Sequence, residues 1–212
     1  MSTSVDRRSR KRLATRQAIS DAATLLFFER GFDHVTVDEI AEAADVGRMT
    51  VFNHFPRKED MFFDRDQEGR DVIRDALSRR DPHVSPVETL RLLAHRLVGE
   101  QRPYVQFSTG SQTFVDTVEG SETLKARARA IRGELAHLVM AALAETIGQE
   151  PTDHFAHLAA DLLLATWSVA FLQAHRIFRE TKRAEDAKSA FLTIVDRGSA
   201  GLKAALAGTP YV

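Results

Sequence analysis

The stretch Thr36 to Phe55, TVDEIAEAADVGRMTVFNHF, predicts two short helices joined by a tight turn. Thr36 followed by Val37, Asp38 and Glu39 is a capping box, in which a threonine hydroxyl and a glutamate carboxylate satisfy amides that a helix start leaves unpaired. Ile40, Ala41 and Ala44 then give the first helix an apolar face. The chain turns at Asp45-Val46-Gly47, and a second helix spans Arg48 to His54 until Pro56 ends it. Ala41 is small where the helices approach, and Val46 and Val51 pack inward against Ile40. This is helix-turn-helix grammar. The outward positions of the second helix are then Arg48, Met49, Thr50, Asn53 and His54. Such a helix fits a DNA major groove about 12 Å wide, where side chains near its N-terminus reach base edges.

On the N-terminal side, residues 1–9 read as a mobile basic arm, and a first helix runs from about Arg10 to Arg30 with Leu13, Ile19, Ala22, Ala23 and Leu26 along one stripe. Gly31 stops it, because glycine accepts the left-handed conformation. On the C-terminal side, Lys58-Glu59-Asp60 opens a longer helix reaching about Arg80. Ser85-Pro86-Val87-Glu88 is a second strong start signal, with a serine cap, a proline in the first turn and a glutamate closing the box. Further helices are expected at about 86–101, 103–118 with a break near 108–110, 122–147, 153–181 and 185–207. No strand or repeat is apparent, so the fold class is all-α.

Length and composition narrow the chemistry. The 212 residues are 43% apolar and 28% charged, the balance of a folded soluble protein. The absence of cysteine excludes disulfides, thiolate nucleophiles and zinc sites with sulfur ligands. The 29 basic and 30 acidic residues nearly cancel, but their distribution is uneven: Arg7, Arg8, Arg10, Lys11, Arg12 and Arg16 crowd one short segment, and Arg48, Arg57 and Lys58 form a second cluster. That pattern permits phosphate contact on one face. The longest apolar run, Leu162 to Leu172, is too short for a bilayer core that needs about 20 helical residues. With no signal-peptide pattern at the start, a cytoplasmic protein without a membrane partner is expected.

Together these residues resemble the TetR/AcrR transcriptional regulators. The resemblance covers about Thr15 to Phe62. It rests on the helix ending Phe28-Glu29-Arg30-Gly31-Phe32, the Thr36-Val37-x-Glu39-Ile40-Ala41 entry, and the Phe-x-His-Phe-Pro-x-Lys-Glu run at 52–59. It implies an N-terminal three-helix DNA-binding domain at 10–60 and a larger helical ligand-binding and dimerisation domain at 61–212. It further implies that Arg48 and Met49 touch bases, with Arg48 suited to guanine, and that Thr50 contacts base or phosphate. Asn53 and His54 would hold phosphates, Lys58 would grip a further one with the amides opening the next helix, and Thr36 belongs to the same contact set. The chain departs from the usual pattern at Asp45 for glycine, Gly47 for a serine or threonine cap, Phe52 for tyrosine, and Arg57 for serine, the last adding a candidate phosphate contact.

For the larger domain the resemblance implies a small-molecule pocket, with Leu97, Tyr104, Phe107, Phe114, Met140, Trp167 and Phe171 as candidate lining and Gln106, His137 and His175 as polar handles. The expected inducer is small and apolar or aromatic. The apolar helix around 159–174 and the small residues Ala190, Gly198, Gly201 and Ala205 of the last helix, with Ile194, point to a homodimer, and hence to a near-palindromic double-stranded DNA operator. No phosphate loop, dinucleotide glycine pattern, Gly-x-Ser-x-Gly elbow or His-Glu-x-x-His occurs, so neither catalysis nor a cofactor is expected. The alternative is a helical small-molecule or metal-binding protein that does not read DNA, with His154, His157 and Asp161 sharing one helix face.

Overall fold

The computed structural model describes residues 3–212, with side chains from residue 7 onward except that of Tyr104. Among the described residues every regular element is helical. The α-helices are α1 (Thr3–Arg30), α2 (Val37–Ala43), α3 (Arg48–His54), α4 (Glu59–Phe62), α5 (Asp66–Ser78), α6 (Pro86–Gly99), α7 (Thr109–Gly120), α8 (Glu122–Thr146), α9 (His154–Thr181) and α10 (Ala184–Ala205), with 3₁₀ turns at Phe32–His34 and Pro103–Val105. The chain forms two compact units: residues 1–65 with 116–127, and residues 66–115 with 128–212.

In the first unit, α1 buries Ile19, Ala23 and Phe27 at intervals of four, with Ser20 beside them. Leu13 does not join this stripe; it is exposed, because α1 runs past the core at its N-terminal end. The expected arm at 1–9 is likewise helical from Thr3, while residues 1 and 2 lie outside the described residues. Neither proline nor glycine interrupts 3–9, and the arginines and lysine that follow are good helix formers. Phe27, Phe32 and Phe62 meet in a cluster with centroids 4.9 to 6.4 Å apart.

The expected continuous helix from Lys58 to Arg80 is instead two. Phe63 leaves helical geometry at φ −100°, ψ 36°, and α5 begins only at Asp66. Met61, Phe62 and Phe63 are three large apolar residues in a row, which one face of a straight helix cannot bury together. The turn sets Phe62 and Phe63 edge to face at 5.3 Å, and Asp64 accepts the Ser20 hydroxyl.

The second unit is built on α9 and α10, which pack along each other, with α6 against α10 and α5 against α6. Ser85 caps α6 as expected, accepting from the Glu88 amide at 3.2 Å. The Glu88 carboxylate, however, does not close the box. It takes Arg91 and the Lys203 ammonium, the latter at 2.7 Å, and Arg91 holds it at about 2, well below its ordinary 4.5. Arg91 also donates to Asp196 at 2.9 Å, so the acid at the mouth of α6 ties that helix to α10 rather than to its own first turn. The C-terminal tail is fastened by Tyr211, whose hydroxyl donates to Asp153 at 3.0 Å and whose carbonyl accepts from Val87.

By length and composition α9 is apolar enough to cross a membrane. One face lies in the core through Ala156, Ala160, Leu163, Ala170, Ala174 and Phe178, as expected of the central helix of a helical bundle. Gly198 sits where α10 meets α9 so closely that an added Cβ would stand 2.2 Å from Thr166 Cγ2 and 2.9 Å from its Cβ. The small residue expected to admit a partner therefore admits the neighbouring helix of the same chain. Gly198→Ala should destabilise the fold by about 1–3 kcal/mol, measured by urea unfolding, and Thr166→Ala should recover only part of the loss because its Cβ remains.

Candidate nucleic-acid interface

The helix pair forms as its sequence requires. Thr36 Oγ1 accepts from the Glu39 amide at 3.3 Å while Glu39 Oε2 accepts from the Thr36 amide at 2.8 Å, completing the capping box. The threonine cap contributes about 1 kcal/mol. Glu39 also takes the Arg30 guanidinium. The Thr36 amide first, then Arg30, hold its pKa at about 2 instead of 4.5. At the other end of α2, Asp45 N donates to Glu42 O and Val46 N to Ala41 O, at 3.1 and 3.0 Å. This is the Schellman closure with its left-handed residue at Asp45, φ 50°. Aspartate tolerates that region better than most residues, so the turn forms without the usual glycine. Gly47 then opens α3 with no side-chain cap.

Two cations lock the pair in place. Arg16 donates to the His54 carbonyl at 2.6 Å and lies 3.9 Å from the Phe55 ring centroid, joining α1 to the end of α3. Lys58 donates to the carbonyls of Phe32 and Val35, each at 2.9 Å, and stands 4.1 Å from the Phe32 ring centroid. Burial lowers its pKa, against the pull of Asp33 and Glu59. Each carbonyl would cost about 1–3 kcal/mol if buried and unmatched. The ammonium expected at a DNA phosphate is thus engaged within the unit, and sequence spacing gave no sign of its main-chain partners.

The surface that remains is the outer face of α3. Val51 and Phe55 are fully buried, which turns Arg48, Met49 and Asn53 outward; Thr50, Phe52 and His54 sit half-buried at its edges. Met49 is 70% exposed. Among the described residues, the side chains of Thr50, Asn53 and Arg57 have no hydrogen-bond partner in the chain. Arg48 donates through Nη1 to both carboxylate oxygens of Asp38, at 3.0 and 2.7 Å, a residue the sequence reading left out of the site. His54 is held below its ordinary 6.5 by burial first and then by Arg12 and Arg16, so at neutral pH it offers a hydrogen bond, not a charge. Arg7, Arg8 and Arg10 lie exposed on α1.

The candidate ligand residues fall in the second unit. Leu97 and Phe107 are buried in its core, and Met140, Trp167 and Phe171 are packed against that core. Phe114 is half-buried, and the side chain of Tyr104 lies outside the described residues. His175, fully buried, has Phe107 and Phe171 at 5.2 and 4.5 Å and the Gln112 carbonyl oxygen 3.3 Å from Nδ1. Gln112 was not foreseen. The Trp167 indole nitrogen is buried without a hydrogen-bond partner. A separate cleft of about 290 Å³ lies between α5 and α8, beside Arg74, Arg80 and Glu145, and none of the described candidates lines it. His157 pairs with Asp161 at 3.3 Å while His154 stacks on Phe155 at 4.1 Å. The three do not converge, and no metal-binding group of three occurs among the described residues.

The depressed Glu39 pKa has a signed consequence. Its contribution to stability is complete above 4.5 and fades as pH falls toward about 2. Glu39→Gln keeps the shape of the cap and loses its charge, so its melting temperature should lie below wild type at pH 7 and the gap should close between pH 4.5 and 2.

Residues 19–64 match the family model for bacterial regulatory proteins of the tetR family. The chain is 43% identical over 54 residues to the HTH-type transcriptional regulator TcmR of Streptomyces glaucescens, covering 26% of this chain and 24% of TcmR. It is 37% identical over 89 residues to the HTH-type transcriptional repressor LfrR of Mycolicibacterium smegmatis, covering 41% and 44%. Those matches therefore span less than half of either relative. The fold extends the likeness: SmeT of Stenotrophomonas maltophilia, in its complex with triclosan, aligns with TM-score 0.56 and 21% identity over 89% of this chain and 91% of SmeT. Residues 19–64 thus carry the helix-turn-helix unit of the bacterial tetR-family regulators, within an all-helical fold that the chain shares with SmeT.

Proposed function

We propose that the protein is a ligand-responsive, DNA-binding transcriptional regulator acting in the cytoplasm, a repressor released from a near-palindromic operator by a small apolar or aromatic inducer. The observation that carries this reading is the outer face of α3. Met49, Thr50 and Asn53 stand unengaged beside Arg48, on a helix whose opposite face is fixed by buried Val51 and Phe55. Side chains held ready on a rigid element are what base readout in a groove requires. Exposed Arg57 and the arginines of early α1 supply phosphate contacts. Thr36 and Lys58 act on DNA chiefly by holding the frame, and His54 by hydrogen bonding.

Dimerisation is supported by the outer face of α9. Phe155, Leu158, Leu162, Val169 and Leu172 are all exposed and recur at intervals of three, four and seven, a seam that a second helix pair fills. A two-fold dimer presents two copies of α3, which makes the operator a near palindrome. The inducer reading is supported by the aromatic surroundings of His175 and by the indole N–H of Trp167. A buried donor with no acceptor is matched by a ligand that carries one. LfrR is named a repressor and SmeT has been captured with triclosan. Linkage requires the ligand and the operator to weaken each other by the same factor.

Selection from a random duplex pool should yield a near-palindromic operator whose affinity falls steeply as salt rises. Arg48→Ala should cost about 1–3 kcal/mol on that operator and relax preference at one base per half-site; retention of full preference would remove Arg48 from the readout. Leu172→Glu should convert the dimer to monomer in sedimentation and weaken operator binding with α3 unaltered.

A further inference from the structure

We propose that Asp38 determines the specificity of DNA reading by fixing the Arg48 guanidinium and by opposing contact with phosphates. The inference rests on the DNA-reading role proposed for α3 and assigns part of that role to a residue outside the helix. Asp38 lies in the first turn of α2 and Arg48 in the first turn of α3. Between them runs the hydrogen-bonded closure at Asp45 and Val46, so the backbone fixes their separation. The guanidinium carbon also lies 5.5 Å from the Phe52 ring centroid, and Arg48 is thus held from two sides.

The pair engages only part of the guanidinium. Both bonds to Asp38 come from Nη1, and Nε and Nη2 keep their N–H groups. Guanine presents two acceptors, O6 and N7, to one edge of a guanidinium, so the ion pair and a base contact can share one arginine. Both side chains are open to solvent, at 58% for Arg48 and 63% for Asp38. An ion pair this exposed adds little to stability, and its effect falls on what approaches the surface.

A carboxylate in that position acts differently on two kinds of binding. Every duplex brings phosphates, which Asp38 repels whatever the base sequence. An operator with guanine under Arg48 also gains from a fork that is already partly oriented and loses less freedom on binding. Asp38 therefore weakens sequence-independent binding more than operator binding. Discrimination built on a repulsive element is a general device of specific interfaces.

The experiment compares full-length wild type, Asp38→Asn, Arg48→Ala and the double variant on the operator selected by wild type and on a scrambled duplex, across a salt series. Asp38 caps nothing and is exposed, and circular dichroism confirms that each variant is folded. Asp38→Asn should bind the scrambled duplex several-fold more tightly at low salt, with a smaller change on the operator. The ratio of the two affinities should fall by about tenfold, and the guanine preference opposite Arg48 should relax. In the Arg48→Ala background the same change should no longer alter base preference. An unchanged ratio in Asp38→Asn, with wild type still selective, overturns the inference and leaves the DNA reading standing. Wild type without preference for any duplex overturns both.

Discussion

Helices α2 and α3 have seven residues each, about half the length at which an isolated helix becomes even marginally stable in water. Their geometry is therefore borrowed from the rest of the unit. Ile40 and Ala41 commit one face of α2 to the interior, and Val51 and Phe55 commit one face of α3. Arg16 and Lys58 then bind main-chain carbonyls at three places around the pair. A charged donor satisfying a carbonyl contributes more than a neutral one, and here it also fixes the direction in which the exposed side chains of α3 point. The freedom of Met49 and Asn53 on the surface depends on the lack of freedom beneath them.

The same economy governs charge. The chain is almost neutral, yet several acids near the helix pair are already engaged: Glu39 with Arg30 and Thr36, Asp60 with Arg127, and Asp33 with Ser121. Cations are engaged as well, so a count of basic residues overstates what is available to a phosphate. Arg57, Arg7 and Arg8 are exposed, whereas the partly buried Lys58 turns its ammonium to two main-chain carbonyls. Burial first, and then Arg12 and Arg16, lower the pKa of His54. Net charge and local clusters describe what a segment contains; only partners decide what it presents.

Local signals were legible in the sequence wherever backbone chemistry decided the outcome. The capping box at Thr36 and Glu39, the left-handed residue at Asp45, the serine cap of α6 and the stops at Gly31 and Pro56 all depend on residues within five positions of one another. What depended on distant partners was not legible. Lys58 lies 26 and 23 residues from its carbonyl acceptors, Glu88 lies 115 from Lys203, and Asp38 reaches across a turn to Arg48. The break after Phe62 answers to packing on three sides. The N-terminal extent of α1 was missed for a different reason: apolar periodicity marks where a helix is buried, and a helix can continue beyond its buried part.

One feature of the first unit bears on how the protein can be taken apart. Its residues are not contiguous, because 116–127 fold with 1–65. Ser121 donates to Asp33 at 2.9 Å, Arg127 meets Asp60 at 3.1 Å, and Leu124 is wholly buried. A fragment cut after residue 65, though it contains every helix of the reading motif, would lose those partners and uncover apolar surface. Grafting the motif onto another effector would therefore require a spliced gene carrying the 116–127 segment, since the compact unit is assembled from two separate lengths of chain.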